Sequence, residues 1–244
     1  ARLVGQVRLA AQVAAPLWLT GEPGTGKETA ARVVHSAGPL RDRAFVAIDC
    51  EGLQPYLVES ALFGHGGLGG SDRVGTVYLK EPAALPRDLQ QRLADYFAEP
   101  GAARLVCGST RSAAESVAAG GLVPAYQTTL SALEIRVPPL RERLDDLPRL
   151  ASRVVPGRPL EPAALAVLRA HAWPGNLREL AGVLTSSAAL APAGPILREH
   201  LPLELRVRSE SPRAAPAKPL DLDATLEAVE KRPIELALRK AGGN

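Results

Sequence analysis

At 244 residues, 46% of them apolar, the chain has material for one large domain or for two domains with a tail. Aromatics are scarce at 4%, so aliphatic residues and alanine must fill the core, and a net charge of +3 is too mild to argue for nucleic-acid binding by itself. Only two cysteines occur, Cys50 and Cys107, which read as buried thiols of a reducing cytoplasm; no signal peptide opens the chain, and no apolar run is long enough to span a bilayer.

The first predicted strand is Leu17–Thr20, and it runs into Gly21-Glu22-Pro23-Gly24-Thr25-Gly26-Lys27-Glu28. An Ala-rich helix over Glu28–Ser36 follows. Strand, glycine loop and helix in this order are the pattern of a phosphate-binding loop. Gly21, Gly24 and Gly26 let the backbone curl until several N–H groups point at one anion. The helix start adds its dipole, and Lys27 adds a point charge for the terminal phosphates. Glu22 and Thr25 complete the candidate cofactor-binding loop, and Glu28 stands where the general motif has the Ser or Thr that touches Mg²⁺.

Further strands are predicted over Phe45–Cys50, Val74–Leu79, Leu105–Ser109 and Leu133–Val137, with helices over Leu57–Leu62, Pro86–Phe97 and Ser112–Ala119. Short apolar strands alternating with helices imply an α/β domain with a mainly parallel sheet flanked by helices. A P-loop hydrolase also needs an acidic pair at the end of a neighbouring strand. The candidate is Lys80-Glu81, which reads either as that pair or as an ordinary exposed pair after a strand. Lysine has no acceptor for magnesium, so at this site Lys80 places a second cation near the phosphates and any Mg²⁺ is weakly held. Glu81 remains as the candidate catalytic carboxylate.

From Leu140 the pattern turns all-helical, with a boundary near Pro138-Pro139. Helices are predicted over Arg141–Val155, Glu161–Ala170, Asn176–Ser186 and Ile196–His200. Trp173-Pro174-Gly175-Asn176 reads as an aromatic plug, a turn and an N-cap, while Arg141-Glu142-Arg143 reads as solvated or interdomain. Arg206–Pro219 is polar and proline-rich and reads as a linker, and Leu220–Lys240 as a last amphipathic helix. His35, His65, His171 and His200 lack metal-ligand spacing with either cysteine. The chain opens without methionine and stops inside a helix-like pattern, as a fragment does.

Together these motifs resemble the central AAA+ ATPase domain of bacterial enhancer-binding proteins, the activators of sigma-54 RNA polymerase. GEPGTGKETAARVVHSAG (21–38) is similar to the family's Walker A segment, where glutamate after the lysine is usual. FVAIDC (45–50), LVESALFGH (57–65), VPPLRERLDDLPRLA (137–151) and HAWPGNLREL (171–180) follow in the family's order. LEAVEKRPIELALRKAGGN (226–244) resembles the opening of a Fis-type DNA-binding domain. The resemblance implies an α/β AAA+ subdomain over 1–138, a helical lid over 139–204, a linker over 205–220 and a truncated Fis-type segment over 221–244. It implies a cytoplasmic, bacterial transcriptional regulator that binds ATP or ADP, with Arg178 of the lid as the sensor II arginine. Its expected partners are itself, as a dimer or hexameric ring, or a related AAA+ subunit. DNA would be bound through the full-length C-terminal domain, and no membrane partner is implied.

Several positions depart from the family pattern. The segment between His65 and Val74 is too short for the GAFTGA loop, which argues against contact with sigma-54 polymerase. Lys80 replaces the Walker B aspartate, Asp49 an asparagine, and Thr110 the sensor I asparagine; Val123 and Thr129 fall where the two trans-acting arginines belong. These losses imply nucleotide binding with weak or no hydrolysis. Two alternatives remain open: an active ATPase that activates sigma-54 polymerase, and a nucleotide-free scaffold that partners an intact AAA+ subunit.

Overall fold

The computed structural model describes residues 2–64, 73–99, 103–129, 131–191 and 193–210. In chain order these form α1 (Arg2–Gln12), β1 (Leu17–Thr20), α2 (Lys27–Ser36), β2 (Ala44–Asp49), α3 (Pro55–Phe63), β3 (Val74–Lys80), α4 (Arg87–Ala98) and β4 (Arg104–Ser109). There follow α5 (Ala113–Ala118), α6 (Pro124–Thr129), β5 (Leu133–Arg136), α7 (Leu147–Val154), α8 (Pro162–Ala170), α9 (Asn176–Leu190) and α10 (Leu203–Glu210). His65, the glycine-rich stretch after it, the tail from residue 211 and the Fis-like helix lie outside the described residues.

All the strand pairs are parallel, in the order β2-β3-β4-β1-β5. Alternation along the strands divides the side chains between two cores. Leu17, Leu19, Tyr78 and Val106 face one layer, and Trp18, Val77, Leu79, Leu105 and Cys107 face the other. Helices cover both faces, which is why β3 and β4 read as near-continuous apolar runs. The chain leaves β1 for the far edge at β2, returns through β3 and β4, and then crosses to β5 on the other side of β1. β1 is thus where the strand order reverses, and ligands of open α/β sheets bind at the carboxyl ends of strands around such a point.

The five predicted strands are present with ends shifted by at most a residue at each terminus. Three helices carried no sequence prediction: α1, α6 and α10. α1 packs Val7, Ala10 and Ala11 against the sheet, and α6 is a short turn whose Tyr126 is fully buried. The helix expected over Arg141–Val155 is instead two 3₁₀ turns followed by α7, because Arg143 leaves the helical region (φ −142°, ψ 43°) and proline enters at the start of α7. The linker expected from residue 205 begins inside α10, where Leu205 is buried with the second, all-helical core. That core is built on Leu140, Leu147, Leu168, Trp173, Leu184 and Ile196. Cys50 and Cys107 are buried free thiols, and burial pushes Cys50 up to about 12, so neither is a thiolate near neutral pH.

Candidate functional site

The loop after β1 is rooted in the sheet, where the Gly21 N–H donates to Ser109 O on β4 at 3.1 Å. Gly24 and Gly26 have φ of 76° and 94°, a region L-residues adopt only with strain. A Cβ on Gly24 would lie 2.3 Å from Gly175 O of the lid, so the position excludes side chains twice over. Thr25 is buried, and its hydroxyl donates back to Glu22 O at 2.8 Å. Lys27 opens α2 with 8% exposure, and its Nζ donates to Gly21 O at 2.6 Å and Glu22 O at 3.2 Å. Burial lowers the Lys27 pKa; Glu81 opposes that shift, whereas Lys80 and Arg178 reinforce it. Loop, β3 end and lid therefore bring Lys27, Lys80, Glu81 and Arg178 into one electrostatic neighbourhood. Glu28 turns away to pair with Arg32 one helical turn on, at 2.7 Å.

At the end of β3, Glu81 is held in a left-handed conformation (φ 50°), a strained state typical of functional sites. Its N–H donates to Gly108 O at 2.8 Å, and its carboxylate accepts a hydrogen bond from the Ser109 hydroxyl at 2.8 Å. Thr110, which the resemblance puts at the sensor I position, is exposed. Ser109 does the positioning; the available signal was a polar residue ending an otherwise apolar strand. Beside it, Lys80 forms an ion pair with Asp49 of β2. Asp49 also accepts from the N–H groups of Glu51 and Gly52, at 3.2 Å each. Burial works against the Asp49 carboxylate, but the bond from Lys80, helped by these backbone hydrogen bonds, outweighs it and holds its pKa below the usual value.

The site fits a polyphosphate better than it fits magnesium. The loop presents glycine backbone and a buried ammonium, both suited to anionic oxygens. Magnesium needs oxygen ligands, yet Glu28 is engaged by Arg32, Asp49 by Lys80 and Glu81 by Ser109. Among the described residues no cluster of three His, Cys, Asp or Glu side chains could hold a metal ion.

The helical lid is fastened directly to the loop. Asn176 is fully buried, its Oδ1 accepting from Leu140 N at 2.8 Å and its Nδ2 donating to Glu22 Oε2 at 3.1 Å and Pro23 O at 3.0 Å. Leu177 N donates to Gly24 O at 2.9 Å, and Arg143 donates to Thr25 O at 2.7 Å. Asn176 is thus not the N-cap expected from the sequence. Gly175 takes that place, with its N–H held by the Glu179 carboxylate at 2.7 Å, and Asn176 (φ 53°) is freed to join lid and loop. Trp173 is a buried plug as expected, its Nε1 donating to Leu168 O at 2.8 Å. Arg141 meets Glu22 through two hydrogen bonds, at 2.8 and 2.5 Å, which gives the basic pair Arg141 and Arg143 an interdomain role. Val123 is uncharged and tied through its backbone to Gln90 at 2.9 Å, and Thr129 ends α6.

Arg141 and Asn176 lower the Glu22 pKa from 4.5 to about 2. A carboxyl depressed in the folded state stabilises the fold above its unfolded pKa, and that contribution is lost as pH falls through the folded value. Thermal melts should therefore show wild type above Glu22→Gln at pH 5 and above, with the gap closing between 4.5 and about 2. An unchanging gap across that window would remove Glu22 from the lid contact.

A family model described as "Sigma-54 interaction domain" matches residues 1–140, and one described as "AAA+ ATPase lid domain" matches residues 141–218. The response regulator protein PilR of Pseudomonas aeruginosa is 31% identical, over 99% of this chain and 62% of its own length. The Nif-specific regulatory protein of Azotobacter vinelandii is 32% identical, over 99% of this chain and 52% of its own. The chain thus spans only 62% and 52% of the length of these relatives. Among solved structures, NtrX from Brucella abortus in complex with ADP matches with a TM-score of 0.70 at 25% identity, covering 100% of this chain and 62% of that one. With a phosphate-type loop at the carboxyl end of β1, a parallel sheet and a lid docked on that loop, the chain belongs to the sigma-54 interaction domain family of AAA+ transcriptional regulators.

Proposed function

We propose that this domain binds ATP or ADP between the glycine loop and Arg178 of the lid, as the nucleotide-responsive part of a sigma-54-class transcriptional regulator. The observation that carries the reading is the convergence on buried Lys27, whose ammonium rests on two loop carbonyls beside Arg178. Structures of Brucella abortus NtrX in complex with ATP and with ADP support the choice of ligand. Nucleotide at this junction sets the angle between the α/β part and the lid, and through it self-assembly as a dimer or ring or pairing with a related AAA+ subunit. Any DNA contact belongs to the full-length C-terminal region.

The finer reading is that hydrolysis is weak. Lys80 supplies donors where phosphoryl transfer needs a carboxylate acceptor, and neither Val123 nor Thr129 can offset charge on the transferring group. A second reading, ATP turnover coupled to sigma-54 polymerase, is favoured by the family placement and by Glu81, which Ser109 holds ready beside Lys27. Steady-state ATPase assays on the full-length protein, with Lys27→Ala as background, separate the two. The expected turnover is below about 0.01 per second, and about 1 per second or more establishes the second reading.

A further inference from the structure

We propose that Lys80 takes the place of a divalent cation, so that this site binds nucleoside di- and triphosphates without magnesium. The inference rests on the nucleotide reading above and concerns the counter-charge that reading requires. Magnesium commonly bridges phosphate oxygens in P-loop sites, held by a hydroxyl after the loop lysine and a carboxylate on a neighbouring strand. Both positions are altered here. Glu28 follows Lys27 and is drawn off by Arg32, and Lys80 stands at the end of β3.

Register places Lys80 at the root of the loop. Lys80 is level with Gly108 on β4, and Gly108 is level with Leu19 on β1, two residues before Gly21. Two strand spacings, about 10 Å, separate Lys80 from β1, and although Asp49 tethers its ammonium on the β2 side of β3, its charge is still felt at Lys27. One of its three donors goes to Asp49, which anchors the ammonium at the carboxyl edge of the sheet; the others remain for an anion. A dication entering the same space would meet Lys27, Lys80 and Arg178, with Glu81 as the carboxylate not already matched to a cation. Repulsion between a divalent ion and the fixed ammonium at the end of β3 weakens metal binding, and the same charge strengthens the hold on bare polyphosphate.

Calorimetry on the full-length protein, titrated with ADP and with ATP in EDTA and again in excess magnesium, tests the proposal. Wild type is expected to bind in EDTA within about threefold of its affinity in magnesium, a difference under 1 kcal/mol. Lys80→Gln should lose at least about tenfold in EDTA, as expected for removal of a charge-assisted contact. Lys80→Asp should lose as much in EDTA and recover on addition of magnesium. Should Lys80→Asp fail to fold by circular dichroism, Lys80→Gln carries the comparison. Wild-type binding that requires magnesium overturns the inference and leaves the nucleotide reading intact. Unchanged binding of Lys80→Gln in EDTA overturns it as well, whereas no binding under either condition removes the nucleotide reading itself.

Discussion

Lys27→Ala is expected to lower affinity for ADP and ATP by about 100-fold, with little loss of stability in the absence of nucleotide. The magnitude follows from losing charge-assisted hydrogen bonds to phosphate, about 1.5–3 kcal/mol in comparable cases. Stability should hold because Lys27 is buried at a cost. The residue is 8% exposed, and its ammonium is satisfied by two loop carbonyls rather than a carboxylate. Removing it relieves that burial while leaving Gly21 O short of a donor, Glu22 O keeping the Thr25 hydroxyl, so the two effects oppose each other. Arg32→Ala is the control. It breaks the exposed pair with Glu28 on the same helix, worth about 0.3–0.5 kcal/mol, and the stacking of the guanidinium on Phe45 at 4.5 Å, and should leave nucleotide affinity unchanged. Calorimetric titration of both variants beside a thermal melt provides the check. A Lys27→Ala protein that binds ADP within threefold of wild type would exclude the loop as the phosphate site.

The largest expected effect on stability is at Asn176. Asn176→Ala should destabilise the protein by about 3 kcal/mol and lower the melting temperature by roughly 10 °C for a chain of this size. Two separate costs add. Alanine in the left-handed region that Asn176 occupies (φ 53°) is strained by about 1–2 kcal/mol. The buried N–H of Leu140 also loses its acceptor, and Glu22 and Pro23 lose a donor. An unpaired buried donor costs about 1–3 kcal/mol. Asn176→Asp is the informative companion, because it keeps the shape and the acceptor for Leu140 but sets a negative charge against Glu22. It should retain most of the stability while loosening the lid, read as faster proteolysis between the two parts and weaker nucleotide binding. A melting temperature for Asn176→Ala within about 2 °C of wild type would show that the lid does not depend on this contact.

Much of the framework was legible because its signals are local. Leu17–Thr20 is a strand because four apolar-rich residues precede a glycine loop, and Lys27 marks the loop because glycine spacing and a following helix restrict what the backbone can do. Short apolar runs marked β1, β3 and β4 as strands buried on both faces, though not which face each side chain joins. α6 escaped notice because a short helix opening on proline carries no periodicity, and its helical state depends on Tyr126 finding the core. The segment after Leu140 misled for the opposite reason. Its apolar spacing suits a helix, but Leu140 N is claimed by Asn176 and Arg143 bends toward Thr25, so the backbone breaks into turns.

By itself, the sequence determined the α/β part, the helical part, the glycine loop and the Lys80-Glu81 pair that follows the third strand. All of these are properties of a residue and its near neighbours, set by backbone freedom, periodicity and the donors a side chain carries. Only the tertiary structure decided where the long-range partners lie. Lys80 pairs with Asp49 from 31 positions away, Ser109 holds Glu81 from 28 positions away, and Asn176 leaves its own helix to clamp Glu22 across 154 positions. Such contacts depend on which strands become neighbours and which face the lid presents, and strand order carries no mark in the local pattern of the chain.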